Sequence, residues 1–566
     1  MRIQTVHQSL LAIRSRLASD LFKSLSALPT SGYVFFIILA IGSCLLLSRD
    51  FGQSWDISKR EYGALEAFNF YFHGFDAAKF RANQISTLIY YGPAIDILIK
   101  IAQDTTVDPL QRAEIRTFLQ ALISLSCLIP IFLISARVVE KPLALISAAL
   151  VGATPAFFGH AFINPKDSVF ASGFLWALYL ILVCFGDTRR RSYRFTIGLG
   201  ILLGLVVSIR FTGAYLLLLI PVVAFVQPSL WLHESKLSIS LPKRLLQQAA
   251  LEWRRLAILI LVFVIAYALL MPAILTDFRL AAFAEAIRKF EHFPWPWTVL
   301  YFGKEIPASQ LPWHYVYGYM LVQLPVYYHF FLLVILTVFI AWPRRVFLQN
   351  LRELCCSDLR ARTVMLLAAA LMIPLIWILL VHPVLYDGFR HILFVVPLIS
   401  MLLYFGFVAA LKGLVAGVRW PLILLATAGW MEALLAMQSL HPYEYVYYNP
   451  LVKPMDVFEL EYFGTSFREL AGQLNEYARD NIKNGEKIRL YACPSEGTLT
   501  PFLEPDRFEI VKKDAAPQLM VLLNRWGCMK PNRLISVTRR NLIFAAIARS
   551  ERLVDAPQSS IAGPPR

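Results

Sequence analysis

Apolar positions along this chain fall into long runs separated by short polar breaks. A membrane-crossing helix needs about 20 mostly apolar residues, and about eleven stretches qualify. They are roughly 31–48, 115–136, 142–158, 168–185, 195–209, 212–227, 256–273, 319–341, 363–381, 391–410 and 420–438. The first is read as a retained span, because no small-residue cleavage site separates Ser31–Ser48 from the polar stretch at Arg49. Between the first two lies a long loop, about 49–114, rich in acids and aromatics. Within it Ile85–Ala102 is apolar but broken by Gly92, Pro93 and Asp96, which predicts helices lying in the interface. After about Leu440 the pattern changes. Ser466–Asp480 has helical spacing, and Lys487–Ala492, Gln518–Leu523, Arg533–Val537 and Leu542–Ala548 read as short strands. The expected fold is an all-α polytopic membrane domain over 31–440, with a short segment before it (1–30) and a small α/β domain after it (441–566).

Composition agrees: 57% of the 566 residues are hydrophobic and only 16% are charged. Those values exclude a disordered chain and disfavour a soluble enzyme. The net charge of +16 sharpens the topology. With the N-terminus cytoplasmic, alternate loops carrying Arg189 to Arg191 and Arg194, Lys243 to Arg255, Arg344 to Arg362, and Lys412 with Arg419 all fall inside, as retention of positive charge requires. The basic balance is thus explained without nucleic acid. The C-terminal domain and the segments 49–114, 159–167, 274–318 and 382–390 are expected outside. Seven cysteines give no metal knuckle. Cys493 and Cys528 share the outer domain, where oxidation is possible, but their separation in space is left open.

The outer segments hold the candidate chemistry. Asp56 follows the first span, with Glu61 and Glu66 beyond it, and a carboxylate there can act as a general base towards a hydroxyl. The bland alternative is a solvated acidic loop. In Asn164-Pro165-Lys166-Asp167, Asn, Pro and Asp make a good helix start. Lys166 is not explained that way and could hold a phosphate. Tyr386-Asp387-Gly388-Phe389-Arg390-His391 places an Arg-His pair at an outer helix start, where an anion is favoured, although Arg390 could simply snorkel. Arg210 is a weaker case of the same kind. Trp313-His314-Tyr315 and the Trp295/Trp297 pair suit either an interfacial aromatic belt or contact with a sugar or lipid tail.

Four stretches in order carry a family resemblance. They are Phe158–Asp167, Val299–Gly303 with Leu311-Pro312-Trp313, Tyr386–His391, and His441–Asn449. The chain resembles the GT-C fold membrane glycosyltransferases that use polyprenyl-phosphate sugars, the group of the protein O-mannosyltransferases (glycosyltransferase family 39) and the lipid A aminoarabinose transferase. The resemblance covers about residues 30–465. It implies an inverting transfer of a hexosyl or pentosyl unit to an acceptor outside the cytoplasm, with Asp56 and Asp167 as catalytic acids. It also implies Lys166, Arg390, His391 and Arg210 on the donor phosphate, and Glu61, Trp313, His314, Tyr315 and Asp387 against substrate or lipid. Where the family has Glu after the first acid this chain has Ile57. A divalent metal, Mg or Mn, held by Asp56 or Asp167 could share the work of charge stabilisation; no other cofactor is implied. The expected partners are the lipid-linked donor, an acceptor of unspecified kind and the bilayer. The outer segments hold no Asn-X-Ser/Thr sequon, which fits a bacterial plasma membrane with undecaprenyl phosphate as carrier. The competing readings are a transporter or flippase of a lipid-linked saccharide, for which mid-membrane charges and repeated halves are missing, and a non-catalytic membrane scaffold.

Overall fold

A computed structural model describes residues 24–83, 91–186, 192–225, 241–276, 295–341, 358–412, 414–483, 485–530 and 532–550. Among them, seven helices are long and apolar enough to cross a membrane: Thr30–Arg49, Pro109–Ser135, Asp167–Gly186, Glu252–Leu270, Leu359–Val381, Val395–Lys412 and Ala416–Leu440. Two more apolar segments are bent pairs. Lys141–Gly152 and Pro155–Ile163 meet at 66°, and Tyr315–Gln323 and Val326–Ala341 at 103°. The predicted total of eleven is therefore not confirmed; among the described residues the candidate spans number seven, or up to nine if each bent pair counts once. Tyr193–Ile209 and Phe211–Ala224, both predicted as spans, are shorter apolar helices. A hydropathy window runs straight through Pro155 and Pro325, whereas proline lacks the amide a continuing helix needs and restricts the residue before it. The basic residues at 1–23, 189–191 and 342–357, Phe293 with Pro294, and the first part of Ile85–Ala102 lie outside the described residues.

Burial ranks the spans. Asp167–Gly186 has 78% of its window buried and is the central helix, whereas only 11% of the Glu252–Leu270 window is covered. The long loop holds three helices, Trp55–Phe72, Ala77–Asn83 and Ala94–Gln103, of which the last lies mostly within the stretch Ile85–Ala102 read as helical. They are tied to the Pro109–Leu125 helix by a buried ion cluster in which Asp96 meets Arg60 and Arg116.

Two β elements follow. Strands β1 (Thr298–Tyr301) and β2 (Lys304–Pro307) form an antiparallel hairpin that the sequence reading missed. Its turn holds Phe302 at φ 49° and Gly303 at φ 74°; a two-residue hairpin turn needs both centres left-handed, and Phe-Gly is not the usual Asn-Gly signal. The C-terminal sheet contains β3 (Ile488–Cys493), β4 (Phe508–Ile510), β5 (Leu519–Leu523), β6 (Arg533–Arg539) and β7 (Leu542–Arg549), in the order β4-β3-β5-β7-β6. The four predicted strands and the helix Phe467–Asn481 are present within a residue or two, and β4 is new. Strands β3, β4 and β5 run parallel, and β7 returns antiparallel to β5 and β6. Cys493, ending β3, is disulfide-bonded to Cys528, beyond β5.

Residues 441–466 seat this domain on the membrane helices. A Cβ at Gly159 would lie 2.4 Å from the Tyr445 amide nitrogen, and one at Gly52 2.0 Å from the Thr465 carbonyl oxygen. Both positions accept only glycine because two backbones touch there. Buried Glu461 accepts bonds from the Phe463 and Thr465 amides at 3.2 and 3.0 Å and from the Tyr445 hydroxyl, which locks the same crossing.

Candidate active site

The helix carrying Asp56 begins at a junction of three segments. The Ser54 hydroxyl donates to the Ile163 carbonyl at 2.8 Å, and the Trp55 amide donates to the Phe463 carbonyl at 3.2 Å. These bonds place Asp56, in the first helical turn, beside the end of the Pro155–Ile163 helix. There Asn164 caps the central span: its Oδ1 accepts from the amides of Lys166 at 3.2 Å and Asp167 at 2.8 Å. Its side-chain amide donates to Asp167 Oδ2 at 3.0 Å. The third strand of the junction is the turn Tyr386–Arg390, in which Asp387 and Gly388 both take left-handed backbone, at φ 57° and 67°.

That turn brings Arg390 between three acids. Its Nη1 donates to Asp56 Oδ2 at 2.9 Å, its Nη2 lies 2.8 Å from Asp387 Oδ2, and Asp167 Oδ2 is 3.9 Å away. Arg210 comes from the other side, with Nη1 2.7 Å from Asp167 Oδ1 and 3.0 Å from the His391 carbonyl oxygen. The Lys166 ammonium lies 4.5 Å from the Tyr91 ring centre. Among the described residues no carboxylate pairs with it.

Two cavities meet here. The first, about 310 Å³, is lined by Asp56, Lys59, Arg60, Lys166 and Arg390 together with Trp55, Trp295, Trp297 and Trp526. The second, about 410 Å³, is mostly apolar and opens between the helices Leu216–Phe225 and Leu359–Val381. Leu218, Ile373, Pro374, Trp377 and Ile378 line its body, and Lys166, Arg210 and His391 its head. Tyr91, Lys166 and Tyr386 belong to both walls.

Charge is set by these neighbours. Burial raises the Asp56 pKa, but Arg390 and Lys166 more than reverse this and hold it below the usual carboxylate range. Asp56 is therefore ionised at neutral pH. Burial, then Arg390 and Arg210, push His391 well below the ordinary histidine value, so the imidazole is neutral. His391 can offer a phosphate a hydrogen bond, not a charge.

Of the residues expected against substrate or lipid, Asp387 lines the polar cavity. Glu61 points away from both cavities and accepts from Gln103 at 2.9 Å, with Arg116 3.7 Å away. It sits five residues after Asp56 on the same helix, which turns it to another face. Trp313 is exposed, and His314 Nδ1 pairs with the hydroxyl of Tyr301, in β1, at 2.8 Å. Tyr315 is buried beneath the turn, where its hydroxyl accepts from the Gly388 amide at 3.1 Å. Asp387, in the wall of the polar cavity, is 1% exposed and pairs both oxygens with arginines. Arg390, expected on the donor phosphate, has its two Nη groups committed to Asp56 and Asp387.

Sequence reading also missed residues. Arg525 and Trp526 come from the C-terminal domain, over a hundred positions beyond the turn they reach. Arg525 Nη2 lies 2.5 Å from Asp387 Oδ1 and 2.8 Å from Glu459 Oε1. Trp526 stacks between Trp55 and Trp297, with ring centres 5.4 and 4.8 Å apart. The paired cysteines flanking these loops were the one available signal.

A divalent cation does not fit. Each acid that would hold it already faces a guanidinium, and Lys166 adds a further positive charge. Among the described residues no group of three or more His, Cys, Asp or Glu is arranged to hold a metal ion.

Fold and site define a multi-pass membrane protein with a charged cavity and an adjoining apolar one at the ends of its helices. Residues 111–242 match the family model described as dolichyl-phosphate-mannose-protein mannosyltransferase, in agreement with the resemblance read from the motifs. A search of curated proteins finds no match. Among solved structures, the chain is similar to ArnT from Cupriavidus metallidurans in the apo state, at 12% identity and TM-score 0.46, covering 93% of this chain and 99% of that one. The same protein bound to undecaprenyl phosphate gives 12% identity and TM-score 0.45, covering 94% of this chain and 100% of that one. The oligosaccharyltransferase AglB from Archaeoglobus fulgidus, in complex with an inhibitory peptide and a dolichol-phosphate, gives 14% identity and TM-score 0.44 over 83% of this chain. This chain spans 64% of that protein's length.

Proposed function

We propose that this protein is an inverting glycosyltransferase of the plasma membrane that moves a sugar from a polyprenyl-phosphate donor to an acceptor outside the cytoplasm. The observation that carries the reading is the junction of the two cavities at Lys166. An amphipathic anion with a long apolar tail fits that shape: the prenyl chain in the apolar cavity, the phosphate at its head, the sugar in the polar cavity. Burial of prenyl carbon contributes about 0.8 kcal/mol per CH₂, so the cavity would select long chains.

Lys166 supplies the uncommitted positive charge for the phosphate, Arg210 lies beside it, and neutral His391 adds a hydrogen-bond donor. Asp56 stands across the polar cavity as an ionised carboxylate. It takes the proton from the acceptor hydroxyl as that oxygen attacks the anomeric carbon, and the polyprenyl phosphate leaves from the opposite side. Cations fixed at the leaving phosphate stabilise the charge that develops on it. Arg390 holds Asp56 in place and in its ionised form. Asp167, sealed against Arg210 by Asn164, acts as a positioning acid for the phosphate site. The C-terminal domain and the cavity lie on the extracytoplasmic side in this reading.

The test is transfer of radiolabelled sugar from a polyprenyl-phosphate donor by purified protein in lipid. Formation of a glycosylated acceptor with release of polyprenyl phosphate supports the proposal. Movement of intact donor across the bilayer, with no bond broken, would show a flippase instead.

A further inference from the structure

Arg525 lies outside the cavity wall that Trp526 helps to form, yet it is 7% exposed and reaches under the turn that carries Arg390. It caps a chain of alternating charge. Arg525 Nη2 lies 2.5 Å from Asp387 Oδ1, Asp387 Oδ2 is 2.8 Å from Arg390 Nη2, and Arg390 Nη1 is 2.9 Å from Asp56 Oδ2. Each carboxylate oxygen of Asp387 thus serves a different guanidinium. Arg525 is anchored as well, by Glu459 at 2.8 Å and the Tyr462 carbonyl at 3.0 Å. The loop bearing it is tied to the end of β3 through Cys528 and Cys493.

From this geometry we infer that Arg525 is a positioning residue of the active site: by occupying one oxygen of Asp387 it limits that acid to a single contact with Arg390, which leaves the other arm of Arg390 on Asp56. The C-terminal domain is in this sense part of the reaction centre. If Arg525 is removed, both Asp387 oxygens become free for Arg390. A two-pronged carboxylate–guanidinium pair is the stronger arrangement, and it draws Arg390 off Asp56. Glu459, whose pKa burial pushes up even against the opposing pull of Arg525, stays protonated once that pull is gone and does not compete. Asp56 retains Lys166 as a facing cation and Asp167 as a facing acid, with Lys59 and Arg60 of its own helix on the same wall. Having lost its hydrogen-bonded cation, it ionises at higher pH than before.

The inference rests on the glycosyltransferase reading for its activity arm and not for its second arm. In full-length protein, Arg525→Gln should lower kcat by roughly 10–10²-fold, the scale of a misplaced catalytic group, with donor KM little changed. The acid limb of the kcat/KM profile should move to higher pH. Arg525→Lys should recover part of the loss, since a single ammonium can hold one Asp387 oxygen but cannot also fork to Glu459. Asp387→Asn and the double variant Asp387→Asn/Arg525→Gln should be equally impaired, because both losses act through one link. Where Arg525→Gln yields no monodisperse protein, the lysine variant and this cycle carry the test. The second arm needs no turnover: Trp55 adjoins Asp56, so tryptophan fluorescence is followed during acid titration, with Asp56→Asn as the blank. An Asp56-dependent midpoint that rises in the Arg525 variants supports the inference. An unshifted midpoint, an unshifted acid limb, or additive losses in the double variant would overturn it. A wild-type protein without transfer would sink the glycosyltransferase reading while the fluorescence arm still decided the role of Arg525.

Discussion

Replacing Asp56 by Asn is the most informative single perturbation, because size and hydrogen-bonding shape persist while the proton acceptor is lost. The structure separates its effects on chemistry and on stability. The Asp56 side chain is about a quarter exposed; its hydrogen-bonded partner at 2.9 Å, Arg390, is buried, and Lys166 adds a second positive charge nearby. Arg390 keeps Asp387 after the change, so no buried charge is orphaned. A hydrogen bond to a buried guanidinium is worth about 1.5–3 kcal/mol, and Asn keeps part of it by accepting from the same arm. The sign of the linkage agrees: the Asp56 pKa is depressed in the folded protein, so its contribution is present above the ordinary carboxylate range and is lost as pH falls through the depressed value. Turnover should respond on another scale. Loss of a general base costs roughly 10²–10⁴-fold, about 2.7–5.5 kcal/mol of transition-state stabilisation. Donor KM should hold within about threefold, since the missing interaction belongs to the transition state. The assay is single-turnover transfer of radiolabelled sugar in liposomes, with thermal unfolding measured on the same preparation. Near-normal transfer by a well-folded Asp56→Asn protein would refute the assignment of the base. Glu61 could not then take its place without a rearranged helix, because its carboxylate faces Gln103.

Lys166→Ala should raise donor KM by about 10- to 100-fold, the scale of losing a charged hydrogen bond, and Lys166→Arg should restore most of it; unchanged KM in the alanine variant would remove Lys166 from the phosphate. Donor KM should stay flat between pH 6 and 8 as far as His391 is concerned, because burial and its two arginine neighbours keep it neutral there; a KM that climbs as protonation is lost near pH 6.5 would contradict this. Leu218→Trp, in the wall of the apolar cavity, should impair a long-chain donor by about tenfold and spare one with a shortened prenyl chain, if burial of each CH₂ contributes as expected; equal impairment of both would mean that the tail lies elsewhere. Single cysteines at Lys304 and Glu509 should react with a membrane-impermeant thiol reagent on intact cells, and labelling only after lysis would invert the proposed topology.

Much of the architecture was legible in local pattern. Apolar runs mark segments that cannot stay in water, so the positions of the membrane helices followed from hydropathy, and so did the amphipathic helix Phe467–Asn481 and four strands of the terminal sheet. Motif chemistry likewise picked out Asp56, Lys166, Asp167, Arg210, Arg390 and His391, which converge on the two cavities or on the charges between them. Hydropathy sums could not see the bends at Pro155 and Pro325, because composition is blind to backbone geometry.

Only the tertiary structure decided which charge meets which. Asp56 and Arg390 are 334 positions apart, and no local periodicity encodes a contact at that range. Arg390 reads as a phosphate ligand in isolation; folding sets it in the wall of the polar cavity with its Nη groups on Asp56 and Asp387 and its Nε without a hydrogen-bond partner among the described residues. The same holds for Asp56 and Asp167, read as metal ligands in isolation: folding faces each with a guanidinium. Arg525 was beyond reach for a further reason. Its role depends on a domain built on a mixed five-stranded sheet and cross-linked by Cys493 and Cys528. A lone arginine in a soluble-looking segment carries no sign of the membrane site it supports until that packing brings it beneath Asp387.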